Sequence, residues 1–381
     1  MIQKLRAGIE NLFPGYFALV MATGIVSLAA HFLEFNAIAT LLFWLNHVLF
    51  AILVVLYSAR VIFIPKRMFT ELTDHQIGPT FLTIVAGTCV FGTQQMVQGS
   101  NQAAFGSALW IVGLLLWLGL IYAFFTSVTI RQDKPPLEKG LNGAWLLAVV
   151  STQSLAVLGS LLARHIAIDP QIMLFVSFCF FLLGCMLYLL IITLIFYRFT
   201  FFKMTADELS PPYWINMGAV AITTMAGSRL LLESVESQLL GELRPFLIGF
   251  TLFFWVTATW WIPLLLILGD WRHIIQRVPF AYHPAYWSMV FPLGMYTAAT
   301  FQLARAIGLA YLVIIPECSI YVALIAWLIV FVGMLVSIVK RLFATAHDEE
   351  VLHDTLLAHQ RLGEGSPSTR QGHSEPHSSQ R

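Results

Sequence analysis

Charge is what this sequence has least of. Only 11% of its 381 residues are Asp, Glu, Lys or Arg, less than half the share of an ordinary soluble domain. With 58% of the chain hydrophobic, a water-soluble globule could not hide the apolar surface, so lipid is the expected solvent. The net charge of +1 gives no electrostatic footprint for nucleic acid. Cysteine is equally sparse. Cys89, Cys179, Cys185 and Cys318 are scattered, without metal-ligand spacing or a disulfide framework. The chemical motifs are missing too. There is no GxxxxGK[ST] loop to drive transport with ATP, no HExxH and no GxSxG. No pair of carboxylates sits within the apolar runs for acid–base work. These absences argue against an enzyme, a bound metal and a cofactor.

What the sequence does contain is apolar runs of membrane-spanning length, about 20 residues. Ten are expected, at 13–33, 38–63, 78–98, 104–129, 141–163, 170–197, 213–232, 245–269, 284–309 and 317–340. Each must be helical, because a lipid-exposed backbone has to satisfy its own hydrogen bonds. The first follows Lys4 and Arg6 and contains Ser27-Leu28-Ala29-Ala30, which looks like a signal-peptide cleavage site. Its length and the many similar runs behind it argue for a retained span. Basic residues set the orientation. Seventeen of the 21 fall on the side shared by both termini, and only Arg164, Arg229, Arg244 and Arg305 fall on the other. Both termini are therefore expected in the cytoplasm.

The spans alternate in character. Odd spans carry small and polar residues, such as Thr83, Gly87, Thr88, Gly92 and Thr93 in the third, whereas even spans are almost wholly Leu, Ile, Val, Phe and Trp. Polar groups are costly in lipid, so odd helices belong inside and even helices outside. The odd spans also open alike, with Gly or Pro beside an aromatic: Pro14-Gly15-Tyr16, Gly78-Pro79-Thr80-Phe81, Gly143-Ala144-Trp145, Pro212-Tyr213 and Pro284-Ala285-Tyr286. This spacing implies five helical hairpins in quasi-symmetric array. The expected fold is all-α integral membrane: ten helices, as five hairpins around a central pore. The transmembrane domain is expected over residues 1–341. Residues 342–381 are expected to be a cytoplasmic tail, amphipathic at first and then disordered. Its histidines (His347, His353, His359, His373, His377) are too loosely spaced for a metal site.

Three strings carry a family resemblance: Pro284–Ala304 (PAYWSMVFPLGMYTAATFQLA), Phe13–Ala30 (FPGYFALVMATGIVSLAA) and Trp255–Leu266 (WVTATWWIPLLL). They resemble the ninth, first and eighth helices of the tellurite-resistance/dicarboxylate transporter family, within the voltage-dependent anion channel superfamily. That family includes bacterial tellurite-resistance proteins, fungal malate and sulfite transporters and plant slow anion channels. The resemblance implies a homotrimer in the cell membrane with one anion pore per subunit. It also implies a phenylalanine plug followed by proline, matched here by Phe291 and Pro292.

Other site expectations come from the residues themselves. Small and hydroxyl side chains leave room for an ion and solvate it, which makes Thr23, Gly24, Ser27, Gly87, Thr88, Thr152, Thr223, Thr224, Gly294 and Thr297 pore-lining candidates. Arg229 and Arg305, at the outer ends of odd spans, are candidates for attracting anions. Glu233 lies four residues after Arg229 and either pairs with it or serves as the acidic group for proton coupling. The expected partners are small anions and the lipid bilayer. The expected substrate is a C4-dicarboxylate such as malate, or an oxyanion such as sulfite or tellurite. A proton-coupled symporter is the alternative to a channel, and a membrane-embedded enzyme is a remote one.

Overall fold

The computed structural model describes residues 8–99, 102–166 and 168–363, with side chains as far as Lys340. Ten long helices follow one another: α1 (Ala18–Phe32), α2 (Asn36–Phe63), α3 (Thr83–Gln98), α4 (Ala103–Ile130), α5 (Leu147–Leu162), α6 (Pro170–Phe201), α7 (Ile215–Glu233), α8 (Arg244–Asp270), α9 (Trp287–Ile307) and α10 (Ile314–Gly363). No strand occurs among the described residues. Eight of the ten are long and apolar enough to cross a membrane. The other two, α1 and α9, occupy the positions expected of spans one and nine. Helix α1 is the shorter, because residues 14–17 form a turn before it.

Burial separates the two kinds of helix. The apolar cores of α3, α5 and α7 are 83–89% buried, whereas those of α2, α4, α6, α8 and α10 are 22–39% buried. Trp44, Leu115, Leu190, Val256 and Ile329, one from each even helix, are exposed, as lipid-facing side chains should be. The odd helices touch in a closed cycle: α1 packs on α3, α3 on α5, α5 on α7, α7 on α9, and α9 back on α1. Small residues permit this approach. A Cβ at Gly294 would press on Ile25 and Val26 of α1, and one at Gly218 would press on the Pro292 ring of α9.

The repeated openings have a structural counterpart. Gly78–Leu82, Gly143–Leu146, Pro211–Trp214 and Pro284–Tyr286 each form a 3₁₀ turn that feeds directly into an odd helix. At the same end, α2 and α6 carry an arginine in the last turn and a π turn directly after α8 carries Arg272, which suits the negative pole of a helix. Arg60 pairs with Glu71, Arg198 donates to the Leu141 carbonyl and the Tyr213 hydroxyl, and Arg272 donates to the Leu209 carbonyl. These guanidiniums tie the basic-rich loops to the helix ends. At the opposite end, Gly308 adopts φ 72° to cap α9, a conformation open to glycine at little cost.

Two compact units divide the chain, one ending at Phe331 and one starting at Val332. The second is helical as far as Gly363. The expected disorder beyond 363 and the tail histidines His373 and His377 lie outside the described residues, as do the side chains of His347, His353 and His359.

Candidate functional site

A cavity lies inside the five-helix ring. Four odd helices contribute three residues each, and α9 contributes two. The contributions share one register. Ile25, Val90, Ser154, Ile222 and Met295 form a lower layer, each nine residues after the opening aromatic of its helix (Tyr16, Phe81, Trp145, Tyr213, Tyr286). Leu28, Thr93, Val157 and Met225 follow three residues later. Phe32, Val97, Leu161, Arg229 and Gln302 make the upper layer, at the end away from the basic loops. The spacing i, i+3, i+7 keeps all of these on one helical face. The free volume is about 30 Å³, room for roughly two water molecules. The wall is mainly apolar, and its polar members are Thr93, Ser154, Arg229 and Gln302. Gln302 is buried, and its Oε1 has no hydrogen-bond partner.

Phe291 stands one turn before Met295 on the same face of α9, fully buried. The equivalent positions on the other odd helices are Met21, Ala86, Val150 and Gly218. By register, Phe291 is the one aromatic among these five positions. Pro292 packs against Gly218, and α9 continues through it as a helix.

The ten small and hydroxyl candidates lie elsewhere on the odd helices. Trp327 Nε1 donates to Thr23 Oγ1 (3.0 Å), Trp117 Nε1 to Thr152 Oγ1 (2.9 Å), and Ser27 Oγ to the Ala39 carbonyl (2.8 Å). Thr297 Oγ1 lies 2.8 Å from Ser319 Oγ. All four face even helices. Thr88, Thr223 and Thr224 donate to carbonyls of their own helix. Gly24 lies against Asn46 and Gln94, Gly87 against Phe17, and Gly294 against α1. None of the ten lines the cavity. Thr300 follows the same outward pattern, accepting from Trp255 Nε1 at 3.0 Å.

The upper end holds the arginines. Arg229 Nη2 lies 2.6 Å from Glu233 Oε1, and Arg164 Nε lies 2.9 Å from Glu233 Oε2. Arg164 Nη2 also reaches Glu236 at 3.3 Å. Arg244 donates to the Leu231 and Ala306 carbonyls and to Ser234 Oγ, joining the ends of α7 and α9. Arg305 is exposed, forms no ion pair among the described residues, and acts electrostatically on Arg229. All four arginines of the basic-poor side thus gather at one sector of the mouth, two of them held by carboxylates. Arg229 belongs to both groups: it lines the cavity and pairs with Glu233. Sequence reasoning missed Arg164 and Arg244, because their partners are brought in by the fold. It also missed the apolar cavity wall.

Among the described residues no group of His, Cys, Asp or Glu could hold a metal ion. The arrangement supplies no nucleophile with a base. It offers a small, mainly apolar cavity with arginines at one end.

Comparison with known proteins agrees with this geometry. The chain is 36% identical over 149 residues to the uncharacterized membrane protein Rv1735c of Mycobacterium tuberculosis, covering 39% of this chain and 75% of that protein. It is 25% identical over 315 residues to the uncharacterized transporter MJ0762 of Methanocaldococcus jannaschii, covering 80% and 88%. It is 23% identical over 343 residues to the sulfite efflux pump SSU1 of Trichophyton rubrum, covering 85% and 90%. Residues 11–335 match the SLAC1 voltage-dependent anion channel family, and with nearly the whole helical ring inside that match the chain belongs to this family of membrane anion transporters and channels.

Proposed function

We propose that this protein passes small anions through the centre of its odd-helix ring, with Phe291 as the plug and Arg229 at the entrance. The observation that carries the reading is the shared register. Five helices place equivalent residues around one axis, and the layer below the cavity contains a single large ring. An apolar constriction of this kind holds water and ions out until the ring moves. The four arginines raise the local concentration of anions at the mouth. All ten helices cross the cell membrane in this reading, with both termini in the cytoplasm and three copies forming a trimer.

The substrate class is a small oxyanion or a C4-dicarboxylate. The likeness to a sulfite efflux pump supports the oxyanion side, and malate and tellurite are the other members to test. A channel is favoured over a proton-coupled symporter by one observation. Glu233, the acidic group considered for coupling, is already bound by two guanidiniums. The test is purified full-length protein in liposomes, with sulfite, malate, tellurite, nitrate and chloride compared. Flux that follows the membrane potential without proton movement is expected. Strict dependence on a pH gradient would replace the channel with the symporter, and no flux of any anion would remove the reading.

A further inference from the structure

Glu233 has a position that neither pore lining nor simple helix stabilisation explains. Its carboxylate sits between two arginines of different standing. One oxygen is 2.6 Å from Arg229, which is largely buried and lines the cavity. The other is 2.9 Å from Arg164, which is half-exposed and lines no part of the cavity. Arg229 Nε is buried and has no partner. The cavity cation is therefore partly occupied by an anion belonging to the protein, and its Nε has no hydrogen-bond partner. The second arginine already holds that carboxylate from its other side.

We infer that Glu233 is a tethered competitor for the transported anion: it occupies Arg229 in the empty protein and is displaced onto Arg164 when an anion arrives. This rests on the proposed conduction path and adds a control of affinity to it. A charge buried without a counter-ion is costly, so the resting protein needs a carboxylate on Arg229. An entering oxyanion can replace it on the Nη2 that Glu233 now holds. Moving to Arg164 keeps Glu233 paired, so the exchange leaves no charge stranded. Arg164 keeps its contact with Glu236 (3.3 Å), which holds the receiving guanidinium near the mouth. The consequence is quantitative. The apparent affinity of a site is reduced by the fraction of time it is unavailable, so Glu233 sets a ceiling on affinity and Arg164 raises that ceiling by drawing Glu233 away.

The two neighbours give predictions of opposite sign. Glu233→Gln frees Arg229 and is expected to lower the half-saturating anion concentration by about three- to tenfold. Arg164→Gln leaves Glu233 on Arg229 and is expected to raise it by roughly twofold or more. Both are measured as initial sulfite flux against concentration in liposomes, using malate where sulfite does not move. Loss of a merely structural ion pair would shift both variants the same way and lower thermal stability. Wild-type flux with unchanged or raised half-saturation in folded Glu233→Gln overturns the competitor role and leaves the conduction path standing. Equal shifts in both variants overturn it as well. Absence of wild-type flux for every anion overturns the conduction path and this inference together.

Discussion

The odd helices have two unlike faces. One looks into the ring and is built from Ile25, Leu28, Val90, Val157, Ile222 and Met295, broken by a few polar groups. The other looks toward the even helices and carries the hydroxyls, with Thr23, Thr152 and Thr300 each accepting a tryptophan N–H from an even helix. The polarity that marks these helices as internal is thus spent on helix-to-helix attachment, and the cavity wall is comparatively apolar. Lipid offers little hydrophobic drive for helices to associate, so hydrogen bonds and close packing of small residues carry that role. On the proposed conduction path, an apolar wall is one that a single ring can close.

If the faces have these separate roles, changes on the outward face alter stability and changes on the inward face alter flux. On the outward face, the largest stability effect is expected from Gly227→Ala on α7. A Cβ there would overlap the Thr251 side chain of α8, a stiff β-branched residue. Overpacking of this kind costs about 1–3 kcal/mol, read as a lower midpoint of thermal unfolding in detergent. The half-saturating anion concentration of the remaining folded protein is expected to stay as in wild type. A change in anion affinity at undiminished stability would break the division of faces.

Phe291→Ala tests the other face. Removing the ring from its layer of small residues is expected to raise basal anion flux by about tenfold, the equivalent of ~1.4 kcal/mol in the barrier. The cavity left behind also costs stability, so flux is compared per folded molecule. Unchanged flux in folded protein would take Phe291 out of the gating role. Thr152→Val is a milder probe of the outward face. It strips the Trp117 indole N–H of its acceptor. Such bonds between membrane helices average about 0.6 kcal/mol and reach ~1.7, so a small stability loss with unaltered flux is expected.

The ring was legible in the sequence, but its faces were not. Alternation of polar and greasy spans separated inner from outer helices, since lipid penalises polar groups wherever they point outward. The opening aromatics located the helix starts, and four of those openings are 3₁₀ turns. Counting nine residues from each aromatic would have found the lower layer of the cavity. An offset of eleven reaches the hydroxyls of Ser27, Thr224 and Thr297, residues the fold does not place in the cavity wall. A threonine is equally at home solvating an ion or holding a tryptophan, and only the position of the neighbouring helix decides between them. The Arg164–Glu233 pair was hidden for a similar reason, because 69 residues separate its members.

His75 gives the smallest expected effect and tests a place outside both faces. It lies in the loop before α3, where its carbonyl accepts Trp145 Nε1 at 2.8 Å and so ties that loop to the opening of α5. Its imidazole Nδ1 is buried without a partner. Burial, reinforced by the positive charge of Arg131, holds its pKa below the ordinary 6.5. The folded protein therefore binds a proton less readily than the unfolded chain. Stability contributed by neutral His75 is complete above pH 6.5 and declines as the pH falls below it. Comparing thermal midpoints at pH 7.5 and 5.5, the drop is expected to shrink in His75→Gln relative to wild type. The anion half-saturation of the two proteins should respond to pH identically, because the loop touches neither the cavity wall nor the arginine mouth. A difference in affinity confined to His75→Gln would mean that the basic-rich end communicates with the conduit, and the separation of attachment from conduction would then have to include the loops.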